Sequence, residues 1–425
     1  MTGRFAAGTG LVAAVALQVG VARQDHLATL ACFVAGLGAW SWLVRLQGRR
    51  GLSAWFVSTL VLALVVAAVA FPPATSKDVN SYALYGRMVS VYHASPYTHL
   101  PQDFSGDVWF PRLSYFWTDA PSVYGPVFTA VAAVATWVVG ESFLGGRLAF
   151  QVVAAASLLL AAALVARRTG WARAGIVVAA NPLLLTFGVN DAHCDVLAGA
   201  LVVAAVLGLT AMRPARAGVL LAGAAMVKIS LVPALPGAFV WLWARHGARA
   251  AARFAAVAVG VLVVGFALCG GADVLRPLGA ATARITRFSL WNPVHQLLPG
   301  DAGARSVSTF ASGLVALVGG AWIVRRRHDP SPVPSLVAGL VAYQLLGAYV
   351  LAWYACWALP ALAIVGGRWW RVVMAHASWL AIAYSSGYAA AVLPVALVGW
   401  WLARRRDRAE APPPRAPDAP ILAGP

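Results

Sequence analysis

Charge is scarce in this chain. Only 11% of its 425 residues are Asp, Glu, Lys or Arg, where a soluble domain carries roughly one-quarter. So few charged side chains cannot cover a water-exposed surface, and the mean hydropathy is +0.75. Alternation with period two is also missing, which excludes an outer-membrane β-barrel. The four cysteines, Cys32, Cys194, Cys269 and Cys356, lie scattered in or beside apolar runs. That spacing excludes a disulfide framework or a cysteine metal site and leaves them as small hydrophobes. Lysine is nearly absent: 30 of the 32 basic residues are Arg, the exceptions being Lys77 and Lys228. No internal repeat is evident, which counts against secondary transporters built from repeated halves.

What the chain does have is apolar length. Apolar residues make up 61% of it. They fall in runs of about 16–22 residues, each long enough to cross roughly 30 Å of hydrocarbon as a helix. In lipid every backbone amide must be satisfied within its own segment, so these runs predict a helix bundle. Candidate spans are 5–22, 27–46, 52–71, 123–140, 146–166, 173–189, 194–212, 216–230, 232–244, 252–269, 303–324, 334–351, 353–366, 371–386 and 388–403. Residues 1–22 have the form of a signal peptide, but further spans follow at once and favour a retained first helix. Pro182, Pro233, Pro236 and Pro360 interrupt several spans, as in segments that end at mid-depth and line a cavity. The expected fold is all-α, a polytopic transmembrane helix bundle over 1–404 with about 12–14 membrane segments. A disordered, Pro-rich cytoplasmic tail over 405–425 completes it.

A net charge of +18 invites a nucleic-acid reading, and the distribution of that charge argues against one. The arginines cluster between apolar runs, at Arg45, Arg49 and Arg50, at Arg167, Arg168 and Arg173, at Arg325, Arg326 and Arg327, and at Arg404, Arg405 and Arg406. This is the positive-inside pattern, and such loops face anionic lipid headgroups. It puts loops 72–122 and 270–302 outside, together with 190–193. Segments 123–140 and 146–166 fall where an odd number of crossings is required, so one of them enters without crossing or lies at the interface. Nine of the 14 acidic residues are then outside. Loop filler accounts for most of these as well as chemistry does.

Several constellations in these outer segments can carry chemistry, each with a structural alternative. Asp78 precedes an amphipathic stretch with Tyr82, Tyr85, Met88, Val89 and Tyr92 on one helical face and Asn80, Arg87 and Ser90 opposite. An interfacial helix of this kind holds Asp78 at the mouth of the bundle; alternatively Asp78 only favours a helix N-terminus. Tyr124-Gly125-Pro126 opens the next segment, where Gly and Pro also shape a helix start. Asn181-Pro182 leads to Asn190-Asp191-Ala192-His193-Cys194-Asp195. Asp191 and Asp195 share a face if the helix has begun, and Asp195 then lies where a carboxylate is expensive. Capping by Asn190 or Asp191 is the alternative, and a metal site lacks a third His or Cys nearby. Lys228 stands alone within 217–244, facing a cavity or snorkelling. Arg284, Arg287 and His295 are basic on the outer side, where an anionic headgroup or phosphate would explain them. Trp353, Tyr354 and Trp357, ahead of Pro360, form an interfacial aromatic belt or a platform for sugar rings.

In their order along residues 78 to 360 these elements resemble the GT-C glycosyltransferases that use polyprenyl-phosphate sugars. The nearest are the actinobacterial polyprenol-phosphate-mannose-dependent α-mannosyltransferases, including the α-1,6-mannosyltransferases of lipomannan assembly. Asp78-Val79, Tyr82, Tyr85-Gly86-Arg87, Ser95-Pro96-Tyr97, Tyr124-Gly125-Pro126, Asn181-Pro182, Asn190-Asp191 and Trp353-Tyr354 carry the resemblance. His193-Cys194-Asp195 departs from it, standing where plainer small residues are expected. The resemblance implies a GT-C-like fold in the inner (plasma) membrane, with 72–122 as an extracytoplasmic catalytic loop and 270–302 as a second outer loop. It implies transfer of a hexose, mannose first, from a polyprenyl-phosphate donor to a lipid-linked glycan acceptor with inversion. Asp78 would be the catalytic base. Lys228, Arg284, Arg287 and His295 would hold the donor phosphate, leaving no requirement for a metal or cofactor. Tyr82, Tyr85, Tyr124, Asn190, Asp191, Trp353 and Tyr354 would meet substrate. The expected partners are donor, acceptor and membrane lipids, not nucleic acid. The competing reading, a transporter or lipid flippase, fits less well with polar residues gathered on one side.

Overall fold

Helix ends in this chain are set by Pro, Gly, Ser and Arg at the edges of the apolar runs. The computed structural model describes residues 10, 26–281 and 283–386. The expected spans 5–22 (residue 10 apart) and 388–403, and the Pro-rich tail, lie outside the described residues. Helix α1 (His26–Arg50) closes on Arg49 and Arg50, and the Ser53 hydroxyl caps α2 (Ala54–Ala70) by accepting from Phe56 N–H. Pro72 and Pro73 stop α2, since neither can donate to a further turn. The polar stretch 72–122 contains α3 (Asp78–Ser90) and three short 3₁₀ turns. Next come α4 (Pro126–Val139), with Pro at its first position, and α5 (Phe143–Thr169), capped by Ser142. A bent pair follows: α6 (Trp171–Ala179) and α7 (Leu184–Asn190) meet at 71° across Asn181-Pro182. Helices α8 (Asp195–Thr210), α9 (Pro214–Val227), α10 (Ala234–His246) and α11 (Ala248–Leu268) continue the bundle. The second polar stretch holds α12 (Arg276–Ala281) and α13 (Asn292–Leu297). The described chain finishes with α14 (Gly300–Arg326), α15 (Val333–Leu336), α16 (Ala338–Leu346), a 3₁₀ turn at Ala352–Trp357, α17 (Leu359–Val365) and α18 (Arg368–Ser386).

No strand occurs among the described residues. Helices α5, α11 and α14 are long and apolar enough to cross a membrane, and α6 with α7 meets the same test only when the bent pair is taken together. Their outward faces carry Leu160, Val263, Leu268, Phe310 and Leu317, all more than half exposed, which is disfavoured in water and required in hydrocarbon. The protein is an all-α polytopic membrane bundle. Of the two segments where an odd number of crossings is needed, α5 with 27 residues has the length, whereas α4 with 14 spans only about 21 Å. At the centre stands α8, apolar all round and buried on nearly every side. Small residues let its neighbours approach: a Cβ on Gly199 would lie 2.0 Å from the Cys356 carbonyl oxygen.

Helix α3 is more enclosed than its amphipathic pattern suggests. Both of its faces are buried, from Val79 through Met88 except Asn80. The polar face is covered because Arg87 turns inward. Its Nε donates to Asp107 Oδ2 at 2.7 Å and its Nη1 to the Gly140 carbonyl that ends α4, while the Tyr92 hydroxyl donates to the same Asp107 oxygen. A cation at a helix C-terminus is favourably placed, and the charge pair ties the loop to the bundle.

Candidate active site

The site grows from the frayed end of α2. The last carbonyls of a helix have no partner within it, and here other segments supply one. Asn190 Nδ2 donates to the carbonyls of Ala68, Phe71 and Pro72 at 2.9, 3.0 and 3.1 Å. Gln151 Nε2 donates to Phe71 O at 2.9 Å, to Asn190 O at 2.7 Å and more distantly to Ala68 O. Arg147 covers Val69 and Ala70. The chain beyond is held from its amide side: Ala74 N–H donates to Asn190 Oδ1 and Asp191 Oδ1, Thr75 N–H donates to Asp191 Oδ1 at 2.9 Å, and the Thr75 hydroxyl donates to Asp191 Oδ2. Asn190 and Asp191, both fully buried, therefore grip residues 68–75. Asp78 follows three residues later as the first residue of α3.

Ala192, at φ 58°, turns the chain between Asp191 and α8. Asp191 and Asp195 thus point to different partners and share no face, because the helix begins only at Asp195. Between them His193 directs Nε2 at Asp78 Oδ2, 3.5 Å away, while its Nδ1 meets the Phe187 carbonyl and its ring stacks on Trp353 at 3.9 Å and 12°. Burial pushes the Asp78 carboxyl up, and the His193 contact, the Lys228 charge and the Trp117 indole outweigh it, leaving the group below the usual carboxylate range. His193 moves the opposite way: burial lowers it, and Asp78 raises it above an ordinary histidine.

Asp195 is fully buried beneath Lys228. Its oxygens accept from Lys228 Nζ at 3.0 and 3.3 Å and from Trp357 Nε1 at 2.7 Å. The ammonium also sits 4.4 Å from the Tyr354 ring, which stacks on Trp357. Lys228 directly follows α9, where Gly125 packs so close that a Cβ there would lie 2.1 Å from the Met226 carbonyl oxygen. A cavity of about 330 Å³ opens beside Lys228, lined further by Trp117, Asp119, Ser230, Arg284, Tyr343, Tyr349 and Tyr354. Arg284 reaches it from the second polar stretch, its guanidinium over the Trp117 ring at 4.9 Å and its Nη2 donating to Phe116 O. Two cations thus share one chamber, and Asp78 is not among its lining residues.

The structure brings Lys228, Arg284 and Tyr354 together on the cavity wall. Trp353 stands behind His193. Tyr82 and Tyr124 are buried in an aromatic cluster with Phe128 and Phe150. Tyr85 is also buried, and its hydroxyl donates to the Ala120 carbonyl at 2.8 Å. Arg287 is exposed over Phe288, and His295 lies on α13; neither lines the cavity. Sequence reasoning missed Gln151, Trp117 and Asp119. Gln151 had a visible signal, a polar amide inside an apolar span; Trp117 and Asp119 had none.

A carboxylate set beside a cation-bearing chamber, in an all-α membrane bundle, belongs here to a membrane glycosyltransferase. The family model described as "Alpha-(1->6)-mannopyranosyltransferase, N-terminal domain" matches residues 3–245, and the chain belongs to that family. It is also similar to alpha-(1->6)-mannopyranosyltransferase B of Corynebacterium glutamicum, at 26% identity over 84% of this chain and 68% of the relative. The family match takes in Asp78, Asn190, Asp191, His193 and Lys228; Arg284, Trp353 and Tyr354 fall beyond it.

Proposed function

We propose that the protein transfers a mannosyl group from a polyprenyl-phosphate sugar to a lipid-linked glycan acceptor, with inversion, at the extracytoplasmic face of the plasma membrane. Residues 1–404 form the membrane enzyme, 72–122 its catalytic loop and 270–302 a second outer loop, with 405–425 a cytoplasmic tail. The observation that carries this reading is a chamber bearing Lys228 and Arg284, with the Asp78 carboxylate outside its lining but held by His193 and felt by the Lys228 charge. The acceptor oxygen attacks the anomeric carbon, its proton passes to Asp78, and the bond to the phosphate oxygen breaks with its electron pair. Charge growing on the phosphate is met by Lys228 and Arg284. The aromatic walls from Tyr343, Tyr349 and Tyr354 suit a sugar ring or the start of a prenyl chain.

Asp78→Asn tests the reading. It keeps the size of the side chain and removes its basicity, so transfer from polyprenyl-phosphate mannose by purified protein should fall about 10²–10⁴-fold. Asp103→Asn is the control, since Asp103 only accepts from Leu100 N–H in the same loop. Near-normal turnover in the Asp78 variant would refute the assignment. Polyprenyl-phosphate arabinose and glucose, run beside mannose, check the sugar.

A further inference from the structure

His193 is fully buried between α7 and α8, and the transfer described above gives it no work. Three contacts fix its ring. Nδ1 faces the Phe187 carbonyl oxygen, which can only accept, so Nδ1 carries a hydrogen. Trp353 lies flat against the ring and prevents it from swinging. Nε2 is thereby aimed at Asp78 Oδ2 at 3.5 Å. A neutral imidazole protonated at Nδ1 would turn its remaining lone pair, on a fully buried nitrogen, toward a carboxylate oxygen, placing two acceptors face to face. A proton on Nε2 removes that opposition and makes the contact an ion pair. The surroundings favour the same state: Asp78, Asp191 and Asp195 act on His193, Lys228 stands against Asp195, and the buried Cys194, Tyr82 and Tyr124 lie in the same cluster.

We propose that His193 is a positioning residue kept as an imidazolium, which holds Asp78 Oδ2 and leaves Oδ1 to take the proton of the acceptor hydroxyl. This rests on the reading of Asp78 as the base. His193 keeps its own proton throughout. The acceptor proton stays on Asp78 until product leaves and then passes to water. The imidazolium lowers the basicity of Asp78 but fixes its aim, and a misplacement of 1 Å can cost about 10²-fold in rate.

The pH dependence follows in sign. Asp78 must be ionised, and its folded-state pKa is depressed, so activity is present above that value and lost as pH falls through it. His193 must be protonated, and its pKa is raised, so activity is present below that value and lost as pH rises through it. The profile of kcat/KM should be bell-shaped. In His193→Gln the amide nitrogen takes the place of Nε2 and donates to Asp78 without titrating. The alkaline limb should then disappear while part of kcat survives. In His193→Ala kcat should fall about 10–10²-fold with donor KM little changed.

The experiment is the kcat and KM of the full-length wild type and both variants, in detergent with polyprenyl-phosphate mannose, across pH. An alkaline limb unchanged in His193→Gln, or a wild type with no alkaline limb, overturns the proposal even if the Ala variant does not fold. Asp78→Asn separates the two claims: if it is inactive while the His193 variants match wild type, this inference alone fails. If Asp78→Asn is fully active, the base reading itself is gone.

Discussion

Truncating Asn190 to Ala removes an amide that holds the end of α2 to the half-helix α7. Its Nδ2 serves the Ala68, Phe71 and Pro72 carbonyls, and its Oδ1 serves Ala74 N–H. Not all of these groups are orphaned by the change. Ala74 N–H retains Asp191 Oδ1, and Phe71 O retains Gln151 at 2.9 Å. Pro72 O loses its partner outright, and Ala68 O is left with the long 3.4 Å contact from Gln151. An unsatisfied buried group costs about 1–3 kcal/mol, and Pro72 O is only partly buried. With the small void added, the expected destabilisation is about 2 kcal/mol. Residues 71–75 also loosen ahead of Asp78, so kcat should fall by about 10-fold or more. The assay is thermal unfolding of the purified protein, followed by loss of monodispersity, beside kcat and KM for the donor. A lower midpoint and lower kcat at near-normal KM are expected. A raised KM with unchanged stability would mean that Asn190 touches substrate, and the clamp described here would be wrong.

Two further outcomes follow from the charge pairs and the orientation. Lys228→Met leaves the Asp195 carboxylate buried with Trp357 as its remaining hydrogen-bond donor from another element, so the variant should be unstable by about 3–5 kcal/mol. Adding Asp195→Asn should restore folding without restoring turnover; full activity in the double variant would remove Lys228 from the phosphate site. Cysteines introduced at the exposed positions Ser105 and Leu290, in a background lacking the exposed Cys269, should react with an impermeant reagent from outside sealed cells. One at His328 should be protected, and the reverse labelling would invert the proposed orientation.

Much of the helical layout was readable because apolar run length is a one-dimensional quantity. The bend at Asn181-Pro182 and the short segments after Pro233 and Pro360 follow from proline chemistry in the same way. Burial of the second face of α3 was not readable, because it depends on Arg87 finding Asp107 and the end of α4, partners 20 and 53 residues away. The roles of Asn190 and Asp191 were ambiguous for a related reason: an amide and a carboxylate at a helix end suit a sugar or a backbone equally. Only the path of residues 68–75 decides between them. Lys228 was visible as a lone cation, whereas its tie to Asp195 across 33 residues was not.

The grip on the approach to Asp78 also sets a rule of length rather than of letters. Apart from the Thr75 hydroxyl, each hydrogen bond from Asn190, Asp191 and Gln151 to residues 68–75 ends on a main-chain atom. Side-chain identity at Phe71 or Ala74 is therefore not read by these contacts, and substitution there leaves them in place. The number of residues between α2 and Asp78 is read. One inserted residue would carry the carboxylate along by about 3.3–3.6 Å, past the reach of His193. In this segment the bundle acts as a ruler, tolerant of spelling and strict about count.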